Sequence, residues 1–426
     1  MAFLNLQGIS LAFIGVQIFD EVNLTIERGE KVGLVGRNAS GKTTLLRLIE
    51  GSVKPDAGVV SFQKGIRTAY LSQEVPNDLP GTVFDVVASG SREYVDLSAR
   101  NPSPSARLLH EGTPPLRVEL DRIHDNLDTE GVWYKREQVN KSLSQLGLDT
   151  DRDFRSLSAG LKRQVLLTKA LVSEPDILLL DEPSNHMDID SIKELEQMMA
   201  QFAGAIIFVT HDRMFLQKIA TRIIEIDRGR LFDQTCDYET FLVRRDANRD
   251  AEETKNALFD RKLKQEEHWV REGIKARRTR NEGRVRELVK MREMRSSRRD
   301  RPKNVKMEVQ EAERSGTLVA KADNIGFNYG DTQVISQFSA TILKGDRIGI
   351  LGPNGSGKTT LLRLLLGMLV PADGTIRLGS NLQISYSDQL LEQLDESKTA
   401  IENIGDGSDT VTVNGKSRHI FGYLQD

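Results

Sequence analysis

The amino-terminal segment MAFLNLQGISLAFIGVQIF is mostly apolar and has neither a basic start nor a cleavage site, so it predicts a first strand rather than a signal peptide. Short apolar runs follow at residues 32–35 and 177–180, and AIIFVTHDR is a third run that ends at His211. The Leu-rich stretch after residue 43 is typical of a helix. Alternating β-rich runs and helical stretches predict an α/β fold in which helices cover a parallel or mixed sheet.

This pattern occurs twice along the chain. The segment GEKVGLVGRNASGKTTLLRLIEG at residues 29–51 returns as GDRIGILGPNGSGKTTLLRLLLG at residues 345–367, an offset of 316 residues. The flanking segments also match, with PDAGVVSF repeated as PADGTIRL. We therefore predict two related domains, residues 1–241 and 317–426, with an insertion at about residues 84–150 in the first.

The segment between the repeats, residues 242–316, is charged and helical in character. In its first half the apolar residues recur at spacings of four and seven, as Phe259, Leu263, Val270 and Ile274. In its second half they recur at a spacing of three, as Val285, Leu288, Met291 and Met294. Two narrow apolar stripes predict a pair of antiparallel helices that pack on each other. The polar segment KARRTRNEGR, residues 275–284, is the expected tip of this helical hairpin.

Charge is distributed unevenly. The 426 residues carry a net charge of −3, which by itself points to no polyanionic partner. Residues 261–306, however, hold 18 basic and 7 acidic residues, a local +11 that leaves −14 on the rest of the chain. The cluster at the hairpin tip predicts contacts with nucleic-acid phosphates through Lys275, Arg277, Arg278, Arg280 and Arg284. A solvated helix face is the alternative, and for Trp269 helix packing is favoured over base stacking.

The number of cysteines and the length of the apolar runs exclude two classes of protein. Cys236 is the only cysteine, which excludes a disulfide framework within the chain and any multi-cysteine metal site. No run of 18 apolar residues occurs, so a membrane-spanning helix is not expected. We expect a cytoplasmic protein.

Two Gly-rich segments, GRNASGKT at residues 36–43 and GPNGSGKT at residues 352–359, fit the P-loop pattern. Glycines let backbone N–H groups approach phosphate, and a helix N-terminus favours an anion. Each segment is expected to follow an apolar strand, residues 32–35 and 348–351. The predicted ATP-binding residues are Gly36, Asn38, Ser40, Gly41, Lys42, Thr43 and Thr44 in the first segment and Gly352, Asn354, Gly355, Ser356, Gly357, Lys358, Thr359 and Thr360 in the second. Thr43 and Thr359 are also candidate Mg²⁺ ligands.

The segment ILLLDEPSNHMD supplies the candidate catalytic groups. Its apolar run delivers Asp181 to the carboxyl end of a strand, where sites of α/β proteins lie. Asp181 is predicted to hold Mg²⁺, and Glu182 to polarise the attacking water. The alternative is that both acids cap helices. His211 ends a further apolar strand, and we favour a contact with the γ-phosphate over a structural role.

Together with LSAGLKRQ at residues 157–164, these motifs resemble the ATP-binding-cassette family. The resemblance implies that Ser158 and Gly160 hold the γ-phosphate bound on a partner cassette, although Ala159 and Leu161 replace the usual glycine and glutamine. It further implies that Gln73 and Gln389, each 31 residues after a P-loop lysine, are Q-loop glutamines and Mg²⁺ ligands. Asp188 would be the D-loop aspartate. The rings of Phe13 and Tyr329 would stack on adenine. For the two rings, packing inside a strand core remains an alternative.

Two cassettes, no membrane segment and a charged helical linker resemble the ABC-F class of that family. The resemblance implies an ATPase that couples ATP hydrolysis to contact with the ribosome and tRNA rather than to solute transport. One alternative is a DNA-binding ATPase that acts on branched DNA. Another is the ATP-binding subunit of a membrane transporter, for which a basic hairpin between cassettes has no evident use.

The second cassette is expected to be truncated. Glu182 follows Lys42 by 140 residues, and the same spacing from Lys358 ends near residue 498, beyond Asp426. Residues 390–426 contain neither a segment like LSAGL nor an apolar run ending in Asp-Glu. Because the family sandwiches ATP between the P-loop of one cassette and the signature segment of the other, we expect this chain to bind ATP but to lack parts of both composite sites.

Overall fold

The structure is a computed structural model that describes residues 2–76, 79–91, 132–145, 149–185, 187–272, 278–297, 316–330, 332–382, 384–386, 395, 397–405, 409–413 and 416–425. The chain divides into two compact units, residues 1–298 and 299–426. This division falls inside the predicted linker, so the three-domain boundaries drawn from the sequence stay predictions.

The first unit opens with an antiparallel sheet. Strands β1 (Ala2–Phe13), β2 (Val16–Glu27) and β4 (Ala57–Phe62) pair in the order β2-β1-β4. The inner side of β1 buries apolar side chains, among them Leu4, Leu6 and Ile9. The expected first strand is thereby confirmed, because its apolar positions lie on one face of a sheet.

A six-stranded sheet forms the centre of the first unit, in the order β5-β6-β7-β3-β8-β9. Its strands are β3 (Lys31–Gly36), β5 (Thr68–Leu71), β6 (Ile177–Asp181), β7 (Ala205–Val209), β8 (Arg222–Asp227) and β9 (Arg230–Gln234). The first five are parallel, and β9 pairs antiparallel to β8. Every residue of β6 and β7 is buried, which explains their unbroken apolar sequence.

Helices cover both faces of this sheet. They are α1 (Lys42–Glu50), α2 (Val83–Ala88), α3 (Val132–Gln145), α4 (Ala159–Val172), α5 (Ile189–Gln201) and α6 (Arg213–Ile219), with a short 3-10 turn at Phe154–Ser156. One core joins α1 to the antiparallel sheet and to one face of the central sheet. On the other face α4, α5 and α6 pack. A third apolar cluster joins α2, α3 and α4, where the described parts of the predicted insertion meet the body.

Two long helices form a hairpin, α7 (Tyr238–Glu272) and α8 (Arg278–Ser297). Arg292 bonds to Glu267 at 2.9 Å and Arg295 to Asp260 at 3.1 Å. Because the partners run in opposite directions along the chain, the helices are antiparallel, which confirms the predicted hairpin. In α8 only part of the predicted stripe is covered: Leu288 and Met291 are buried, while Val285 and Met294 are exposed. Ile274 lies outside the described residues.

The second unit repeats the first part of the first unit. Strands β10 (Leu318–Tyr329), β11 (Thr332–Leu343) and β12 (Asp373–Leu378) pair in the order β11-β10-β12, and α9 (Lys358–Leu365) packs against them. The three strands reproduce the bounds of β1, β2 and β4 at the offset of 316 residues, and α9 begins at the equivalent of the first residue of α1 and ends one residue earlier. The unit also contains α10 (Ala400–Gly405), the hairpin of β13 (Thr410–Val413) and β14 (Lys416–His419), and α11 (Ile420–Gln425).

One predicted strand is wrong. Residues 348–351 form no strand, and Ile348 and Leu351 are 58% and 82% exposed. In the first unit the equivalent strand β3 is held between β7 and β8. The described residues of the second unit contain no strand that pairs with residues 347–351, so within them the same apolar pattern lacks the neighbours that hold β3.

Candidate nucleotide site

Three parallel strands bring the candidate site residues to one edge of the central sheet. Leu34 of β3, Val209 of β7 and Asp181 of β6 lie side by side in register. The P-loop begins two residues after Leu34, His211 lies two residues after Val209, and Glu182 follows Asp181. Neighbouring strands lie about 5 Å apart, so this register alone gathers residues that are more than 140 positions apart in the sequence.

The first P-loop is closed by its own lysine. Lys42 Nζ donates to the carbonyl oxygens of Gly36 and Arg37, both at 2.9 Å. Gly41 adopts a φ of 103° and precedes α1 without a side-chain cap, which leaves first-turn N–H groups available to an anion. Ser40 Oγ is buried and has no hydrogen-bond partner among the described residues. The loop therefore presents donors to a phosphate while its lysine is held by backbone carbonyls.

Two buried acids face this loop. Asp181 and Glu182 are 0% and 4% exposed, and neither caps a described helix, since Asp188 and Asp212 cap α5 and α6. Within the described residues, neither carboxylate oxygen of Asp181 has a hydrogen-bond partner. Carboxylates buried in this way are costly unless a charge or a ligand compensates them. The arrangement fits a divalent cation at Asp181. The alternative, that Asp181 and Glu182 cap helices, does not hold for any described helix.

Electrostatics link the lysine to these acids. Burial lowers the pKa of Lys42, while the negative charges of Glu182 and Asp181 act in the opposite direction. The ammonium group is therefore partly desolvated and is stabilised by the two carboxylates. Added phosphate charge at the P-loop would stabilise the ammonium form further.

His211 meets Glu182 at the end of β7. Its backbone N–H donates to Glu182 Oε2 at 3.2 Å, and its Nε2 lies 3.4 Å from Glu182 Oε1. The side chain of His211 is 64% exposed, whereas that of Glu182 is almost fully buried. The histidine is thus open to a ligand on one side and touches the candidate base on the other.

Arg163 is a residue of this site that sequence reasoning missed. It lies on α4, is 0% exposed, and donates to the backbone carbonyls of Gln73, Asp181, Glu182 and Pro183. Burial lowers the pKa of its guanidinium, against the charges of Asp181, Glu182 and Tyr70. An arginine inside a helix with many polar neighbours resembles a surface residue in the sequence. The sequence held one sign that Arg163 lies at the site, namely its position five residues after Ser158.

The signature segment begins α4. Ser158 is exposed and accepts a bond from Leu161 N at 3.4 Å, which makes it the N-cap of the helix despite the departures at Ala159 and Leu161. Gly160 is buried. Asp188 accepts from Ser191 N at 2.9 Å, and Ser191 Oγ in turn accepts from Gln164 Nε2 at 2.8 Å. The side chain of Gln73 is exposed near the site.

The second P-loop closes in the same way as the first. Lys358 Nζ donates to Gly352 O and Pro353 O, both at 2.7 Å, and Gly357 adopts a φ of 89° before α9. Lys358 is less buried than Lys42, and Thr359 is exposed. The described residues of the second unit place no acidic pair beside this lysine. Gln389 lies outside the described residues.

The remaining predicted residues lie at the periphery. Phe13 is 46% exposed at the end of β1, and Tyr329 is 52% exposed at the end of β10 with its ring 5.0 Å from that of Phe327. Neither ring is part of a core, which removes the strand-core alternative and leaves the adenine role a prediction. In the hairpin, Arg278, Arg280 and Arg284 lie on α8, but their side chains are outside the described set, as are Lys275 and Arg277 altogether.

A closed P-loop beside a buried Asp–Glu pair is the arrangement of a P-loop ATPase. Residues 19–185 and 335–417 match the family described as ABC transporter, and residues 224–308 match a second family with the same description. A solved nucleotide-free ATP-binding cassette from an ABC transporter aligns over 57% of this chain and 95% of its own, at 18% identity and a TM-score of 0.43.

Curated relatives match along the whole chain. The ATP-binding protein Uup of Escherichia coli (strain K12) is 42% identical over all 426 residues, which span 67% of that protein. Uup of Haemophilus influenzae (strain ATCC 51907 / DSM 11121 / KW20 / Rd) is 41% identical, with 66% of its length covered. The energy-dependent translational throttle protein EttA of Mycobacterium tuberculosis (strain CDC 1551 / Oshkosh) is 33% identical over 93% of this chain and 71% of that protein. The chain spans about two thirds of the length of these relatives.

The chain belongs to the ATP-binding-cassette family and, within it, to the ABC-F class. The resemblance inferred from the motifs and the α/β cassette fold are thereby confirmed. None of the described helices combines the length and the apolar character needed to cross a bilayer.

Proposed function

We propose that this protein binds ATP at both P-loops and hydrolyses it at the first, with Glu182 as the group that polarises the attacking water. The observation that carries the proposal is the buried pair Asp181 and Glu182 opposite a P-loop whose lysine is bound to its own backbone. A Glu carboxylate held in a dry setting by a backbone N–H is suited to accept a proton from water.

The proposed roles of the other residues follow from their positions. First-turn N–H groups of α1 and the ammonium of Lys42 bind phosphate, and His211 contacts the γ-phosphate beside Glu182. Phe13 and Tyr329 stack on adenine at the two sites. Ser158 and Gly160 act on nucleotide bound by a partner cassette.

The residues at the first site also fit Mg²⁺, because both carboxylate oxygens of Asp181 lack a hydrogen-bond partner among the described residues. Thr43, Gln73 and Asp181 are the proposed ligands there, and Thr359 and Gln389 are their counterparts at the second P-loop. When bound, the ion supplies positive charge that neutralises the phosphate oxygens.

We further propose that nucleotide-driven movement of the cassettes controls contact between the hairpin and the ribosome with its tRNA, in the cytoplasm. The +11 charge of residues 261–306 supports a phosphate-rich partner. The name of the EttA relative, a translational throttle, supports the ribosome as that partner. DNA is the alternative, because the same charge suits its backbone.

The test uses Glu182→Gln protein, which keeps an acceptor for His211 N but loses the carboxylate base. With ATP present, this variant should pellet with ribosomes through a sucrose cushion, whereas Lys42→Met and ATP-free samples should stay in the supernatant. Replacement of Arg278, Arg280 and Arg284 by glutamine should weaken pelleting and lower the salt slope by about one unit for each phosphate that is no longer neutralised. If the Glu182→Gln protein with ATP is absent from the ribosome pellet but is retained on branched DNA, the partner is DNA and not the ribosome.

A further inference from the structure

The guanidinium of Arg163 is the meeting point of three segments of the site. Its Nη1 donates to Gln73 O at 2.8 Å, its Nη2 to Asp181 O and Glu182 O at 2.5 and 2.7 Å, and its Nε to Pro183 O at 3.3 Å. All four acceptors are backbone carbonyls. A single side chain of α4 thus binds the turn after β5 and three successive peptide groups at the end of β6.

The turn after β6 needs such a partner. Glu182 has a φ of 50°, a left-handed conformation that is uncommon for a residue with a side chain, and Pro183 follows it. Strained backbone of this kind persists when its surroundings hold it in place. Besides Arg163, the turn is held by Glu182 N, which donates to Val209 O at 3.0 Å, and by Asn185 N, which donates to Glu182 O at 3.2 Å.

The position of Arg163 on α4 connects these contacts to the exposed start of the helix. Ser158 caps the start of α4 and is exposed, and Arg163 lies five residues later, a little over one turn along the helix. Helices move as rigid elements, so a shift of the exposed end of α4 moves the guanidinium as well. The carbonyls of Asp181 and Glu182 would follow it because each is bound to the same Nη2.

We infer that Arg163 is a positioning residue that couples the placement of the signature helix to the placement of the Glu182 carboxylate and of the Gln73 turn. This inference rests on the proposed role of Glu182 in hydrolysis. The hydrogen bonds of Arg163 end on backbone oxygens rather than on the two carboxylates, so it acts through the turn that carries them.

Lys162 offers a matched control on the same helix. It is also buried and cationic, but its ammonium lies over the ring of Phe154, 5.7 Å from the ring centre. Substitution of either residue by methionine removes a buried charge from α4. Substitution of Arg163 also removes the four bonds to the carbonyls of the two turns.

The experiment compares Arg163→Lys, Arg163→Met and Lys162→Met with the parent protein by two measurements. The first is amide hydrogen exchange by mass spectrometry in peptides that cover residues 71–76 and 180–185. Both Arg163 variants should exchange faster there by about tenfold or more, and Lys162→Met should match the parent. Arg163→Lys keeps charge and bulk but not the planar fork, so it remains informative if Arg163→Met fails to fold.

The second measurement is the rate of single-turnover ATP hydrolysis, together with the Kd for a fluorescent ATP analogue. Misplaced catalytic groups cost up to about 10²-fold in rate. We expect a fall of this order in the single-turnover rate constant for Arg163→Met and a smaller fall for Arg163→Lys. The Kd should change less than about threefold, because the P-loop contacts are untouched. The inference is overturned if exchange at residues 180–185 is unaltered in Arg163→Lys, or if Arg163→Met loses no more of the single-turnover rate constant than Lys162→Met. A parent protein without hydrolysis would refute the proposed function instead, and the exchange measurement would still decide the positioning.

Discussion

A methyl group added at the first residue of each P-loop should have very different consequences in the two repeats. At Gly36 a Cβ would lie 2.7 Å from the backbone oxygen of Ile226 and 2.6 Å from Ser40 Oγ, at a φ of 156°. At Gly352 the only close atom among the described residues is Ser356 Oγ, at 2.8 Å. A hydroxyl rotates away easily, whereas the carbonyl of Ile226 is fixed because β8 pairs with β3.

The cost of Gly36→Ala follows from these contacts. Overpacking costs about 1–3 kcal/mol, and a residue with a Cβ held in a sparsely populated, glycine-favouring region of φ costs about 1–3 kcal/mol. The free energy of unfolding of the first unit should fall by about 3 kcal/mol, which corresponds to about 6–12 °C in its melting midpoint. Gly352→Ala should cost less than about 1 kcal/mol, since only a side-chain hydroxyl must move.

The assay can separate the two units. Both tryptophans, Trp133 and Trp269, lie in residues 1–298, so thermal unfolding followed by tryptophan fluorescence reports on the first unit, and far-UV circular dichroism reports on both. Binding of a fluorescent ATP analogue should lose one site in Gly36→Ala and none in Gly352→Ala. Equal melting shifts for the two variants, or an unchanged midpoint for Gly36→Ala, would refute the argument from the Ile226 carbonyl.

Three further predictions concern the site, a helix cap and the hairpin. Burial lowers the pKa of Lys42 below its usual value, and bound ATP phosphates raise it again. ATP binding at a pH between the free-state and bound-state pKa values should therefore take up a proton, and affinity should fall as pH rises from the first value to the second and level off above it. Calorimetry in buffers of different ionisation enthalpy should detect the uptake, and Lys42→Arg should abolish it. Ser158→Ala should lower the free energy of unfolding by about 0.5–1 kcal/mol in urea titrations while Ser158→Asp retains the cap, and equal stability of both variants would contradict the cap. Leu288→Ala should cost about 2–3 kcal/mol and Val285→Ala less than about 1 kcal/mol, because Leu288 is buried in the hairpin and Val285 is exposed; similar losses for the two in the same titrations would mean that the whole stripe is packed.

Local patterns in the sequence predicted those parts of the fold that depend on near neighbours. Glycine spacing predicted both P-loops, and in both repeats the structure closes the loop by bonds from its lysine to carbonyls five and six residues earlier. The two antiparallel helices of the hairpin follow from apolar spacings of three, four and seven residues. These features were predictable because the interacting groups are close along the chain.

Other features depend on partners far away in the sequence, and local patterns did not reveal them. The apolar run at residues 348–351 resembles β3, yet it is exposed, because a strand forms only when neighbouring strands accept its backbone bonds. Strand β3 finds those neighbours about 170–190 residues further along the chain. In the same way, nothing in the composition of α4 predicted that Arg163 would be fully buried.

The sequence by itself determined that the chain contains two related P-loop cassettes joined by a basic helical hairpin, because repeats, glycine spacing and charge are properties of the order of residues. Only the tertiary structure decided which of the two apolar runs becomes a strand and which cation lies among the carbonyls of the acidic turn. The physical reason is that backbone groups and buried charges must be satisfied by whatever packs against them. For β3 and Arg163 those partners come from segments distant in sequence, so the amino-acid pattern at either position does not specify the outcome.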